Sequence, residues 1–131
     1  NLTNARIIGT LGDVDMSGAI LTKGRLGLDV GNQPMGQMKF DTSGGNFAKA
    51  NFEGADLNIA SFIFGDMRGA NLRNTNLNRA ELVKTDLRGA DLTGANLTDA
   101  DVDGANFEGV IGLSTVKGFS TVKGKCDNCG M

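Results

Sequence analysis

From residue 47 to residue 107 a large apolar side chain returns at every fifth position: Phe47, Phe52, Leu57, Phe62, Met67, Leu72, Leu77, Leu82, Leu87, Leu92, Leu97, Val102 and Phe107. Two places before each stands a small residue: Gly45, Ala50, Ala55, Ala60, Gly65, Ala70, Thr75, Ala80, Thr85, Ala90, Ala95, Ala100 and Ala105. A period of five is neither the 3.6 of an α-helix nor the 2 of a strand. Thirteen unbroken units, from Gly45 to Gly109, do not arise by chance. A fixed period of this kind marks a stacked repeat architecture and takes precedence over local propensity.

The pattern carries its own geometry. The small and the large residue are two apart, so in extended chain they point the same way. The three residues that follow the large one include a turn. Each unit is therefore a short extended segment plus a bend, with one small and one bulky residue facing a narrow core. Asn or Asp fills most places before the large residue: Asn46, Asn51, Asp56, Asp66, Asn71, Asn76, Asp86, Asp91, Asn96, Asp101 and Asn106. Gly recurs at the end of the unit, as Gly54, Gly69, Gly89, Gly94, Gly104 and Gly109. Both are turn chemistry: Asx side chains bond local backbone and Gly tolerates positive φ.

The units "ADLTG", "ANLTD" and "ANFEG" resemble the A(D/N)LXX consensus of the pentapeptide-repeat proteins, over about half of the chain. The resemblance implies an all-β fold, a right-handed quadrilateral β-helix with four five-residue units per coil and a C-terminal cap. Residues 20 apart would then stack at roughly the 4.8 Å spacing of neighbouring strands. Four core ladders are expected: Phe47, Met67, Leu87 and Phe107; Phe52, Leu72 and Leu92; Leu57, Leu77 and Leu97; and Phe62, Leu82 and Val102.

The expected organisation is a solenoid over 1–109 and a cap with a CxxC tail over 110–131. Residues 45–109 are regular and 1–44 are not. Leu2 and Ile7 fit the frame with Ala5 in the small position. The frame then shifts by one to Leu11, Met16, Leu21 and Leu26, preceded by Gly9, Val14, Ala19 and Gly24. The segment "GLDVGNQPMGQ", 27–37, breaks the pattern and reads as an excursion loop, either functional or a tolerated insertion; Phe40 is expected to resume the wall. In the tail "STVKG" occurs at 114–118 and 120–124. The open end of a solenoid needs covering, and Val110, Ile111, Leu113, Val116, Phe119 and Val122 can supply the cover, as helix or strand. The chain does not begin with Met, which reads as a processed product or an excised piece.

Cys126 and Cys129, in "CDNC", are the only cysteines, and there is no His. A zinc site needs about four ligands, so two thiolates do not make one within the chain. A catalytic dithiol belongs at a helix start in a thioredoxin-like setting. A local disulfide that tightens the C-terminus is the preferred reading, with inert thiols the plain alternative. Some thylakoid-lumenal members of the family in plants and cyanobacteria carry a disulfide near the cap. That likeness implies the thylakoid lumen or another oxidising compartment, with the cytoplasm as the alternative.

Without His, Ser-His-Asp and Cys-His catalysis are out of reach within the chain. The glycines follow the five-residue turn and make no phosphate loop. The carboxylates fall at outward positions, and the NLT sequons at Asn1 and Asn96 are by-products of the repeat unit. No apolar run approaches the ~20 residues of a membrane span, so no membrane insertion is expected. Net charge is −2 and does not call for nucleic acid. The reading is a non-enzyme without cofactor or metal.

Function then rests on the outer surface, where two features stand out. Asp91, Asp99, Asp101, Asp103 and Glu108 follow one another with no basic residue between Arg88 and Lys117. The family includes DNA-shaped inhibitors of DNA gyrase, so a DNA mimic is the alternative function. Against it, residues 45–109 hold ten acids and six bases, and Arg68 and Arg88 stack on one face. The second feature is an apolar cluster at outward positions: Ile59, Ile63, Phe64 and Val83, with Ile63 stacked on Val83. Such a cluster marks either a protein contact or a surface covered by another segment. The preferred function is a rigid scaffold or protein-interaction module, monomer or homodimer, with an unidentified protein partner. A redox role of Cys126 and Cys129 is the third reading.

Overall fold

A computed structural model describes residues 1–7, 9–27 and 39–130. The chain is a β-solenoid whose rungs pair in parallel, one bridge per unit, at the residue before the large one. From Asp41↔Ser61 to Asp91↔Ile111 the partner always lies 20 residues on, four units of five.

The hydrogen bonds of one unit explain its sequence. In Thr85–Gly89 the Thr85 N–H closes a turn on Leu82 C=O (3.1 Å). The Asp86 N–H reaches down to Gly65 C=O and the Leu87 N–H up to Asn106 C=O, each at 2.9 Å. Gly89 N–H also points up, to Glu108 C=O at 2.9 Å. One amide, that of Arg88, has no place in this ladder, and it donates to Asp86 Oδ1 at 3.2 Å. The Asx residue therefore supplies the acceptor that the backbone cannot. The same bond recurs at 3.0 Å from Ala48 to Asn46, Asn78 to Asn76 and Thr98 to Asn96.

The second residue after the large one lies in the left-handed region in every described regular unit, as the third position of a type II turn requires. Gly occupies it at Gly54, Gly69, Gly89, Gly94, Gly104 and Gly109. Elsewhere L-residues take it, among them Ile59 (φ 64°) and Phe64 (φ 58°).

Both inward positions are buried. The large residues from Phe47 to Val102 are 0% exposed and Phe107 is 1% exposed. Thr75 and Thr85, which replace Ala in the small position, satisfy their buried hydroxyls on Leu72 C=O and Phe62 C=O, both at 2.8 Å. The unit Phe40–Gly44 holds an inversion. Phe40 takes the small place and Thr42 the large one, and both are fully buried. So Phe40 joins the core out of the expected position, and its bulk replaces what Thr42 lacks. Its ring meets Phe62 edge-on at 6.0 Å, and Phe47 meets both Phe52 and Phe62 at 5.5 Å. Edge-to-face contacts at this range are favourable.

The first coil closes in 19 residues, Arg6↔Arg25, which accounts for the one-residue frame shift after Ile7. Thr10, Asp15, Ile20 and Arg25 then pair with residues 31 further on rather than 20. The extra length enters between Gly27 and Lys39. Of the excursion expected over 27–37, residues 28–37 lie outside the described residues. Gly27 is buried, and a Cβ there would stand 2.7 Å from the Asn58 nitrogen.

The tail continues the rungs in longer steps: Asn96 pairs with Lys117, Asp101 with Lys123 and Asn106 with Asp127. Each "STVK" repeat makes a 3-10 turn, Leu113–Thr115 and Phe119–Thr121, entered through a left-handed glycine. At Gly118 a Cβ would stand 2.7 Å from Thr98 Cα, so only glycine lets the tail approach the coil. The threonines replace carbonyls that the longer step moves away: Thr115 Oγ1 accepts from Gly94 N–H and Thr121 Oγ1 from Asp99 N–H, both at 2.9 Å. Val110, Leu113, Val116, Phe119 and Val122 pack against the core. Ile111, expected among them, is instead 55% exposed. It pairs with Asp91 and so takes the outward Asx position of its unit. Cys126 and Cys129 are joined in a disulfide with Cα atoms 5.9 Å apart, within the ordinary range.

Candidate interaction surfaces

Among the described residues no pocket opens, and no group of His, Cys, Asp or Glu is placed to hold a metal ion. No helix among them is long and apolar enough to cross a membrane. What the solenoid offers is its outside.

Three of the four apolar candidates meet at one corner. Phe62 is buried, and the chain turns through Ile63 and Phe64 immediately after it. One coil on, Leu82 is followed by Val83 and Lys84, and Phe64 N–H donates to Val83 C=O at 3.0 Å. Ile63 and Val83 are half-buried, whereas Phe64 is 64% exposed. Lys84 Nζ lies 5.4 Å from the Phe64 ring centre, a cation–π contact. Ile59 is not part of this corner. It sits on the preceding turn, after Leu57, where its N–H donates to Asn78 C=O at 2.9 Å, and it is half-buried. A β-branched residue in the left-handed region is a steric outlier, and Ile59 is the one β-branched residue at this place in the regular units, where Gly, Lys, Arg, Asn, Asp and Phe also occur. Leu2, expected at a large inward position, is 37% exposed, and Ile20, not singled out from the sequence, is 42% exposed. Ile20 occupies an Asx position, and that register was the available signal.

The five acidic residues do not share a face. They belong to the successive units of Leu92, Leu97, Val102 and Phe107, which are four different sides of the coil. Asp91 receives Thr93 Oγ1 at 2.6 Å and Arg73 at 3.2 Å. These bonds lower its pKa below the usual aspartate value, the Thr93 hydroxyl contributing most. Asp103 Oδ1 accepts from Lys125 N–H at 3.0 Å, and Lys123 pairs along Asp101. The basic tail thus lies across part of the acidic stretch.

Arg68 and Arg88 do stack, but each grips the acid of its own unit. Arg68 reaches Asp66 and Arg88 reaches Asp86, both at 2.7 Å, and Arg68 Nε lies 3.9 Å from Asp86. The hydrogen bonds from Arg68 and Arg88 hold the Asp66 and Asp86 carboxyls below the usual range. This side of the rod is a column of alternating charge.

Comparison with known proteins gives a consistent picture. The family model for pentapeptide repeats matches 8 copies, over residues 43–74 and 70–109. A search of the curated proteins found no match. Among solved structures, the chain is similar to HetL, a pentapeptide-repeat protein involved in heterocyst differentiation regulation in the cyanobacterium Nostoc sp. strain PCC 7120. Identity is 25% and the TM-score 0.71, over 96% of this chain and 54% of HetL. The chain therefore spans about half the length of that relative. The pentapeptide-repeat protein Rfr23 of the cyanobacterium Cyanothece 51142 is 26% identical with a TM-score of 0.56, over 92% of this chain and 88% of Rfr23. A thylakoid-lumen pentapeptide-repeat protein of Arabidopsis thaliana is 27% identical with a TM-score of 0.42, over 75% of this chain and 61% of that one.

Proposed function

Because this chain belongs to the pentapeptide-repeat family, we propose that it works as a non-enzymatic rigid rod whose outer surface holds a protein partner, with the contact centred on Phe64. The observation that carries the reading is the corner itself. Phe64 is the most exposed large apolar side chain among the described residues. It stands on a turn position where Gly or Asn would be less strained. Ile63, Val83 and the Lys84 ammonium frame it, an apolar patch with a polar rim of the kind that marks contact sites. The coil beneath is pinned rung to rung, so the backbone that presents the patch needs little further ordering on binding.

Residues 1–109 form the rod in this reading, and residues 110–131 are its cap. The partner binds as a protein, not as nucleic acid. The disulfide favours an oxidising compartment such as the thylakoid lumen. The test is capture from a native extract by wild type beside Phe64→Gly, a substitution that suits the backbone and removes the ring. A protein held by wild type and lost by the variant supports the site; identical captures refute it.

The acidic run favours a second reading, a DNA mimic that binds DNA gyrase. The spread of those residues around the coil and the Arg68–Asp66 and Arg88–Asp86 pairs weigh against it. A supercoiling assay separates the two, since only the mimic inhibits the enzyme.

A further inference from the structure

We propose that the Cys126–Cys129 disulfide is a reversible latch: it holds the last part of the final coil, residues 123–130, on the end of the solenoid, and reduction by a dithiol releases it. The argument starts from what fastens this segment. In the regular units of 45–109 each side of the coil is anchored by a large residue that is almost fully buried, such as Val102 at 0% and Phe107 at 1%. In 123–130 the buried side chains are Cys126, at 8%, and Cys129, at 5%; every other residue is exposed. The cystine is the segment's apolar anchor. It also brackets a rung, because Cys126 and Cys129 stand on either side of Asp127, the residue that pairs with Asn106.

The remaining bonds are polar and lie at the open end of the rod. Lys123 N–H donates to Ala100 C=O (2.8 Å) and Asp127 N–H to Ala105 C=O (2.7 Å). In the other direction Val102, Gly104 and Phe107 donate to Lys123, Lys125 and Asp127 C=O at 2.7–2.9 Å. A terminal repeat touches one neighbour only, so it opens without the rest of the array.

The step balances as ordinary thiol–disulfide exchange. A thiolate of the dithiol attacks one sulfur and the Cys126–Cys129 bond breaks, giving a mixed disulfide. The second thiol of the reductant then displaces the protein sulfur. Two electrons and two protons end on Cys126 and Cys129 as thiols, and the dithiol ends as a cyclic disulfide. With the ring opened, 123–130 regains the freedom that closure removed, and the amides of Val102, Gly104 and Phe107 lose their cover. The edge so exposed is a pairing edge of the kind folded proteins keep hidden.

Amide hydrogen exchange on the whole chain tests this, comparing protein as oxidised, after excess dithiothreitol, and after reoxidation. Reduction should speed exchange at Val102, Gly104 and Phe107 by about twentyfold, the loop-closure gain of a four-residue ring. Leu72 and Leu77 should be unaffected, and reoxidation should restore the slow rates. A change below about twofold at the end amides overturns the proposal, set against that same ring gain. So does a bond that dithiothreitol leaves intact under native conditions. Faster exchange at Leu72 and Leu77 also overturns it, since the bond would then support the whole fold. The Cys126→Ser/Cys129→Ser variant should match reduced wild type and ignore dithiothreitol; a variant as protected as the oxidised form refutes the latch.

Discussion

Leu87→Ala probes the wall of the coil at its best-pinned point. Leu87 is 0% exposed and stands between Met67 and Phe107 in its column. The cost of such a truncation depends on whether the surroundings can collapse into the space. Here the backbone on every side is fixed. Leu87 N–H is bonded to Asn106 C=O, Asp86 N–H to Gly65 C=O and Ala90 N–H to Leu87 C=O, each at 2.9 Å. Moving the rung inward to fill the cavity would stretch these bonds. The loss should therefore fall in the upper part of the usual range, about 3–5 kcal/mol. Equilibrium urea unfolding followed by far-ultraviolet circular dichroism reads it as a drop in midpoint at constant m. Glu108→Ala, at an exposed position one coil on, serves as the control and should stay within about 0.5 kcal/mol. A Leu87→Ala loss below about 1 kcal/mol would refute the picture of a wall that cannot relax.

Asn76→Ala removes the acceptor for Asn78 N–H (3.0 Å) and a donor to Asp56 (3.3 Å). It should lower stability by about 1 kcal/mol in the same assay, and an unchanged midpoint would deny the Asx bond its structural role. Acid titration tests the charged column. The Asp66 and Asp86 pKa values are lowered from 3.8, first by the Arg68 and Arg88 hydrogen bonds. A lowered folded pKa contributes stability that is whole above the unfolded value, about 3.9, and disappears as pH falls through the folded one. The urea midpoint should therefore fall below about pH 4 from this source. An Arg68→Gln/Arg88→Gln variant should show a shallower acid slope, and an identical slope would rule the column out as its cause.

The candidate surface was only partly legible in the residues. Ile63, Phe64 and Val83 could be placed outward because the period names the outward positions, and Ile63 on Val83 follows from the 20-residue register. That register also separates Ile59 from them by one turn, and it sends Asp91, Asp99, Asp101, Asp103 and Glu108 around four sides. Both outcomes follow from four units per coil, which the period of five does not state. Lys84 over Phe64 depends on a side-chain direction and could not be read in advance.

By itself the sequence determined the repeat, the identity of its core and the chemistry of its turns. Those are local matters: two residues two apart share a side, Asx bonds the second amide after it, and glycine suits a positive φ. Tertiary structure decided how units meet. The exchange of roles between Phe40 and Thr42 is possible because the coil fills a volume, and the Phe40 ring, packed edge-on against Phe62, supplies the bulk that Thr42 lacks. The six-residue steps of the tail break the period, yet Gly112 and Gly118 admit close approach while Thr115 and Thr121 offer hydroxyls where carbonyls have moved away. Ile111 faces water because the rung below sets its side. Each of these is fixed by a neighbour about twenty residues away or more, and only stacking brings that neighbour into contact.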